Sequence, residues 1–338
     1  MKTVRSIAVI LLLLQTAVFA DPLAELSGFS AFKSADLSKM AGGGVTTVRT
    51  PPLDYTRGLS VQFCYVVPLP LQKTIELHER WNATRHPDFK VYLHFDLSPK
   101  PSPEDFSKIA SAPDNAAVQA LAAATQKLDP NQPQLLMSSA EAKLFKPAAA
   151  PTHAGAMPVA VTNFWSDLLL RRAIAFSAGG LSKQPPYNFH GETVQLTAEV
   201  DRLLKEEPKI HGQFASLTDS LTGGGSPPVR QLYWELSNVE GVATFSLGAL
   251  CAKAPGASWQ AIDLHYYASD GYFVMLTFYQ MWPVMIGAQQ ATLVWRCDLL
   301  SAPTLNDLHG VERLASTNAM TKEIQKSIAI FLKDAAAK

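Results

Sequence analysis

Cysteine is scarce in this sequence, and its three copies lie far apart. Cys64, Cys251 and Cys297 each sit inside an apolar run that is typical of a β-strand. Three cysteines exclude a framework of two or more disulfides, and the absence of Cys-x-x-Cys or Cys/His ligand spacing argues against a zinc site. Two alternatives stay open: one disulfide with one thiol left over, or three buried free cysteines.

An excess of charge of either sign is also missing. The 29 lysines and arginines balance the 29 aspartates and glutamates, and charged residues make up 17% of the chain. Removal of a leader that contains Lys2 and Arg5 leaves only a slight acidic excess. Since nucleic-acid-binding proteins present a clear basic excess or a basic stripe, we expect no nucleic-acid partner.

Uninterrupted apolar runs are short, and the clearest one lies at the start of the chain. Residues 1–20 have a basic beginning at Lys2 and Arg5, then an apolar run, then small residues before Asp21. This order is typical of a secretory signal peptide, and the run is too short to span a membrane. We therefore expect a soluble mature chain that begins at Asp21, has no integral membrane segment and is secreted or periplasmic.

Motifs of the common catalytic and cofactor-binding classes are absent as well. No Gly-x-Ser-x-Gly element occurs, and neither glycine triplet, 42–44 or 223–225, is followed by the Gly-Lys-Ser/Thr of a phosphate loop. His78, His86 and His94 lie close in sequence, but their expected placement on a helix, a loop and a strand provides no i, i+4 metal pair. We therefore predict neither a metal site nor a cofactor.

Glycine and proline divide the chain into regions. After the signal peptide, residues 21–57 contain a glycine triplet and a proline pair, which predict a poorly ordered N-terminal arm. A strand–helix and helical region is expected over 58–222, a flexible boundary over 223–228, and a sheet with a final helix over 229–338. The alternative that 58–338 forms one domain stays open, since this length suits one large domain or two ordinary ones.

After the boundary, β-branched and aromatic runs follow one another at the spacing of a meander. Short turns separate five predicted strands: Arg230–Leu236, Val242–Cys251, Ser258–Tyr267, Tyr272–Trp282 and Ala291–Leu300. Two earlier strands are predicted at Leu59–Val67 and Lys90–Leu97, and a closing helix places Met320, Ile324 and Ile328 on one face. The predicted fold class is α+β, with an antiparallel meander of about five strands covered by helices.

This order of elements is similar to that of helix-grip folds, in which a curved antiparallel sheet wraps a long helix around an apolar cavity. The resemblance covers the order of elements from about residue 58 to residue 338 and involves no motif residue. The helical stretch over 100–222 departs from the compact pattern of those folds. The resemblance implies the fold, and it implies an apolar cavity by analogy alone.

The strand pair at the centre of the meander carries polar side chains on an otherwise apolar face. Alternation places Asp263, His265 and Tyr267 on one face of the sheet. A hairpin turn at 269–271 leads to the next strand, and its predicted register places Val274, Leu276 and Phe278 on the same face as Asp263. Both faces of the pair are apolar, so each must be covered. A covered carboxylate needs a partner, for which His265 and Arg296 are the candidates.

Three functions are compatible with this pattern. The leading hypothesis is an exported protein that binds a small apolar or amphipathic ligand between sheet and helices, oriented by Asp263, His265, Tyr267 or Arg296. The second is a scaffold or assembly protein with a flat partner-binding surface. The third is a hydrolase or isomerase that uses Asp263 and His265 as an acid–base pair. A purely architectural ion pair is the competing interpretation of the same residues.

Overall fold

The computed structural model describes residues 21–48, 50–147, 157–222 and 228–338, so the predicted signal peptide and most of the boundary at 223–228 lie outside the described residues. The helices are α1 Pro22–Phe29, α2 Leu37–Ala41, α3 Leu71–Glu79, α4 Ala116–Gln126, α5 Ser139–Ala142, α6 Val159–Gly179, α7 Leu196–Glu206, α8 Pro208–Thr222 and α9 Gly310–Ala336. The strands are β1 Thr46–Val48, β2 Gly58–Val67, β3 Val91–Leu97, β4 Tyr187–Phe189, β5 Glu192–Val194, β6 Val229–Val239, β7 Val242–Lys253, β8 Trp259–Ala268, β9 Val274–Ile286 and β10 Gln289–Ser301. None of these helices is both long enough and apolar enough to cross a membrane.

Eight strands form one antiparallel sheet in the order β1-β2-β10-β9-β8-β7-β6-β3. Strands β6 to β10 are neighbours in sequence order, which confirms the predicted meander. Strand β2 pairs with β10 and strand β3 pairs with β6, so the sheet includes strands from both sides of the boundary. The α+β class and the closing helix α9 are confirmed, and the meander is the larger part of a wider sheet.

Helices cover both faces of the sheet, as its apolar alternation requires. On what we call the helical face, α4, α7 and α8 contact strands β7 to β10, and the buried core includes Trp165, Phe214 and Leu264. On the opposite face, which we call the groove face, α3 and α9 contact β2, β9 and β10 around a core that includes Phe63 and Phe331. Burial on both sides explains why the strands lack a polar face.

The N-terminal segment over 21–57, for which the sequence predicts a poorly ordered arm, contains helices α1 and α2 and strand β1. Helix α1 buries Leu26 and Phe29 against the helical face, and the indole of Trp282 donates a hydrogen bond of 2.8 Å to Glu25. Glycine and proline content suggested disorder, but the apolar residues between them have a sheet surface to cover. That surface is formed by distant residues, and burial of apolar area on it stabilises the segment.

The three cysteines are free and buried, as in the second of the two alternatives for them. Burial raises the pKa of the Cys64 thiol and that of the Cys251 thiol to about 12, because the thiolate is the form that loses hydration. These thiols are therefore neutral and act as small apolar side chains of the sheet.

One arginine is completely buried beneath the helical face. Arg172 on α6 is 0% exposed, and its Nη2 donates to the Glu141 carboxylate at 2.7 Å. Its guanidinium carbon lies 4.4 Å from the ring centroid of Tyr267 and 5.1 Å from that of Tyr187. Since water is excluded, loss of either partner of the ion pair leaves an uncompensated buried charge. The pair therefore fixes α6 relative to the segment that carries Glu141.

Replacement of Arg172 by methionine should lower the free energy of unfolding by about 3–5 kcal/mol, because the Glu141 carboxylate loses its counter-ion inside the core. Arg171→Met is the matched control, since the pair of Arg171 with Asp167 is exposed and contributes less than about 1 kcal/mol. Urea unfolding followed by circular dichroism measures both variants. Equal effects of the two substitutions would contradict a structural role for the buried pair.

Candidate functional site

A groove of about 270 Å³ opens on the groove face, between the sheet, the end of α3 and helix α9. Polar and titratable side chains of β3, β6, β8 and β10 form much of its floor. Aromatic and apolar side chains form its walls, namely Tyr65, Trp81, Tyr233, Leu250, Met275, Tyr279, Ile328 and Phe331. The groove therefore combines a polar floor with apolar walls.

Three of the four predicted site residues meet in this groove. Asp263 and His265 on β8 and Arg296 on β10 all line it. Asp263 lies opposite Thr277 of β9, and Thr277 lies opposite Asp298 of β10. Directly opposed residues of antiparallel strands project to the same face, so the sheet aligns these side chains in a single polar row.

The fourth predicted residue, Tyr267, projects to the helical face. The pairing of β7 with β8 skips Tyr266 and so inserts one residue between His265 and Tyr267. Such a β-bulge interrupts the alternation of side chains along the strand. Tyr267 is fully buried, and its ring lies against Arg172 instead. The prediction that Tyr267 shares a face with His265 is therefore wrong.

The neighbours of Asp263 on β9 also differ from the predicted ones. His265 pairs with Met275 and Asp263 with Thr277, so an odd number of residues separates the paired positions across the hairpin. The predicted hairpin placed an even number of residues between paired positions, which would have put Val274, Leu276 and Phe278 beside Asp263 and His265. The groove face is therefore lined by Met275, Thr277 and Tyr279, while the helical core contains Val274, Leu276 and Phe278.

A tyrosine from two strands away holds the Asp263 carboxylate. The hydroxyl of Tyr233 on β6 donates to Oδ1 of Asp263 at 2.6 Å. Between them, β7 presents Gly248, where an added Cβ would lie 2.1 Å from Cζ and 2.5 Å from Oη of Tyr233. Glycine is therefore required at this position for space, because any side chain there would displace the tyrosine ring from its path to Asp263.

The protonation of Asp263 is governed by its burial. Desolvation of the carboxylate raises the pKa of Asp263 above its ordinary value of 3.8, and the nearby His265 and the hydrogen bond from Tyr233 offset only part of this effect. Burial also raises the pKa of Tyr233 well above its ordinary value, so the phenol stays protonated and can donate the hydrogen bond to Asp263. Within the described part of the chain, Oδ2 of Asp263 has no hydrogen-bond partner.

His265 has its own tyrosine partner. Its Nδ1 lies 2.6 Å from the hydroxyl of Tyr272, and its Nε2 has no hydrogen-bond partner among the described residues. Asp263 and His265 form no ion pair with each other within 4.0 Å, although both line the groove. The geometry therefore does not reproduce a directly bonded Asp–His acid–base pair, and it leaves one ring nitrogen of His265 available to a ligand.

Arg296 is neutralised by the residue two positions further along β10. Its Nε and Nη2 donate to the two oxygens of Asp298 at 2.8 and 2.7 Å, and the hydroxyl of Thr277 donates to the same carboxylate. Burial opposes a charged guanidinium, but the attraction of Asp298 outweighs it and raises the pKa of Arg296. The guanidinium carbon also lies 5.5 Å from the ring centroid of Tyr279.

Sequence reasoning missed the end of the groove that β3 and β6 form. Nδ1 of His94 lies 2.8 Å from Oε1 of Glu235, and the His94 ring lies 5.2 Å from that of Tyr233. Burial acts to lower the pKa of His94, but the hydrogen bond and charge of Glu235 outweigh it, so the pKa is raised. Alternation along β3 places His94 and Asp96 on one face of the strand, opposite Glu235 and Tyr233 of β6. The missing information was the partner strand, which brings Glu235 and Tyr233 beside them.

The described residues contain no group of three or more histidines, cysteines, aspartates or glutamates placed to hold a metal ion. His78, one of the three histidines considered for such a role, lies at the wall of the groove among aromatic rings. Burial lowers the pKa of His78 to about 4, so its imidazole is neutral.

Comparisons with known proteins assign no family to this chain. No protein-family model matches it, and no curated protein matches it. Among solved structures, the chain is similar to that of Ara h 8.0201, with 9% sequence identity and a TM-score of 0.21 over 41% of this chain and 90% of that chain. A likeness this remote carries no weight for function, which has to be inferred from the groove itself.

Gly248→Ala should lower the free energy of unfolding by about 1–3 kcal/mol, because the new methyl group overlaps the Tyr233 ring. The same substitution should also weaken the hydrogen bond to Asp263 and raise the pKa of that carboxyl further. Gly212→Ala on α8 is the control, since nothing lies within 4 Å of its added Cβ. Thermal unfolding and NMR titration of Asp263 check both effects. If Gly248→Ala changes neither the stability nor the pKa of Asp263, the Tyr233 ring does not lie over this position.

Glu235→Gln should lower the pKa of His94, because an amide lacks the charge that stabilises the imidazolium. A raised pKa in the folded state stabilises the protein below the ordinary value of 6.5, and this contribution is lost as pH rises through the folded-state pKa. The variant should therefore lose stability at low pH more than at high pH. Asp219→Asn, which affects an exposed partner of His211, is the control and should leave this pH dependence unchanged. NMR titration and urea unfolding across the pH range provide the measurements.

Proposed function

We propose that the protein binds a small amphipathic ligand in the groove between the sheet and α9. The observation that carries this proposal is the convergence of Asp263, His265 and Arg296 from two strands on one concavity. Each retains one polar atom without a hydrogen-bond partner in the described residues: Oδ2, Nε2 and Nη1 respectively. Groups of this kind orient a ligand in a pocket that is otherwise apolar.

The walls of the groove supply the apolar part of the site. Leu250 and Met275 line the groove from the sheet, and Ile328 and Phe331 line it from α9. A volume of about 270 Å³ lies just below the usual range of pockets for drug-sized ligands, which favours a small molecule. The combination of a polar floor with apolar walls supports an amphipathic ligand over the purely apolar one that the sequence also allowed.

Export of the protein belongs to the same proposal. It is supported by the signal-peptide pattern over 1–20, after which the mature chain would begin at Asp21. A secreted or periplasmic binding protein would meet its ligand outside the cytoplasm.

Ser327→Trp should abolish ligand binding, because Ser327 lines the groove from α9 and an indole at this position would fill the space. The matched control is Ala329→Trp, which adds the same side chain to an exposed position of the same helix. The neutral dye Nile red serves as the probe, and its fluorescence should increase with the wild-type protein and with the control only. Mass spectrometry of the protein purified under native conditions adds a test for a retained small molecule.

Equal dye binding by Ser327→Trp and the wild-type protein would contradict a site in this groove. Circular dichroism of both variants shows whether the fold is retained, so that loss of binding can be assigned to the blocked groove. A protein that binds no dye and retains no small molecule would contradict the proposed function as a whole.

A further inference from the structure

The charged groups of the groove divide into paired and unpaired ones. Arg296 is held by Asp298 through two hydrogen bonds, and His94 is held by Glu235 through one. Asp298 offsets the charge of Arg296, and Glu235 stabilises the charged form of His94. The character of the groove is therefore set by whichever charged side chains remain unpaired.

Besides the tyrosines and the imidazoles, including that of His265, the titratable side chains of the groove that lack an ion-pair partner among the described residues are two carboxylates. Asp263 and Glu79 line the groove, and no lysine, arginine or histidine of the described residues lies within 4.0 Å of either carboxylate. Asp263 accepts one hydrogen bond from a neutral phenol, and Glu79 forms no side-chain hydrogen bond in the described part of the chain. Arg296, already bound to Asp298, is the one arginine or lysine among the residues that line the groove. Where these two carboxylates are ionised, no arginine or lysine of the groove is left to neutralise them.

Aromatic rings line the same groove as these carboxylates. On one side, the ring of His78 lies 4.4 Å from that of Tyr279, and the ring of Trp81 lies 5.9 Å from that of Phe331. On the other side, Tyr233 lies beside Asp263. The faces of aromatic rings attract cations, and Arg296 over Tyr279 shows this contact within the groove itself.

Two tyrosines give a second, independent indication of a ligand. Tyr65 and Tyr279 line the groove and are only 3% and 7% exposed. Each ring is buried, and its hydroxyl, which forms no hydrogen bond with any described residue, is left open to the groove. These hydroxyls can therefore form hydrogen bonds with a polar group that enters the groove.

We propose that the ligand of the groove carries an organic ammonium group, which Asp263 and Glu79 attract and the aromatic walls enclose. This inference rests on the proposed function and specifies its ligand class. An anionic head group is disfavoured because the guanidinium of Arg296 is occupied by Asp298, while both unpaired carboxylates repel an anion. Recognition of ammonium groups by aromatic rings and a carboxylate is chemically well matched.

The test compares three probes of nearly equal shape with the full chain by isothermal titration calorimetry. Choline carries the quaternary ammonium, 3,3-dimethylbutanol replaces its nitrogen by carbon, and 3,3-dimethylbutanoate carries a negative head group. We expect choline to bind at least about tenfold more tightly than the neutral alcohol and the carboxylate to bind most weakly. Displacement of Nile red from the groove by each probe locates the binding.

Two charge-removing variants test the residues. Asp263→Asn and Glu79→Gln should each weaken choline binding by about threefold or more and leave the affinity for the neutral alcohol nearly unchanged. Glu79 is partly exposed at the end of α3, so its variant should fold even where Asp263→Asn does not. Asp167→Asn on the exposed side of α6 is the matched control and should leave all affinities unchanged.

The outcomes separate this inference from the proposed function. Equal binding of choline and the neutral alcohol, or tightest binding of the carboxylate, would overturn the ammonium assignment while a ligand-binding groove remains. A choline preference that survives both Asp263→Asn and Glu79→Gln would likewise overturn it. Absence of binding by all three probes, together with absence of Nile red binding, would overturn both.

Discussion

Desolvation of charge between a sheet and its covering helix is the constraint on which the groove depends. Helix α9 packs over part of the groove face, so the polar residues beneath it are removed from bulk water. Arg296 satisfies this constraint locally through Asp298, two residues along the same strand. His94 satisfies it across strands through Glu235. Burial of such paired groups costs less free energy than burial of an isolated charge. Asp263 and Glu79 differ from them because neither carboxylate has a cationic partner within 4.0 Å among the described residues.

Local alternation predicted the strands well but not every face. The meander, the burial of both faces and the polar character of Asp263 and His265 follow from the periodicity and composition of the strands themselves. The orientation of Tyr267 does not, because the bulge that redirects it arises from the register between β7 and β8. A register depends on the partner strand and on the hairpin connection, and one inserted residue reverses the face of those that follow.

Long-range burial accounts for the other differences from the sequence prediction. The N-terminal segment has little periodicity of its own, yet Leu26 and Phe29 are ordered because a distant sheet gives them a surface to cover. His94 entered the site only through the pairing of β3 with β6. In each case the decisive partner lies far away in the chain.

The raised pKa of Asp263 connects this architecture with ligand chemistry. Burial favours the protonated carboxyl, whereas a bound cation favours the carboxylate, so proton and cation compete for one group. By linkage, binding of a cation must lower the pKa of Asp263, and ionisation of Asp263 must strengthen binding of the cation by the same factor. Tyr233 favours the ionised form because its hydroxyl donates to the carboxylate, and Gly248 provides the space that this contact needs. A single glycine on β7 therefore influences the protonation of the acid and, through it, the cation binding that we propose for the groove.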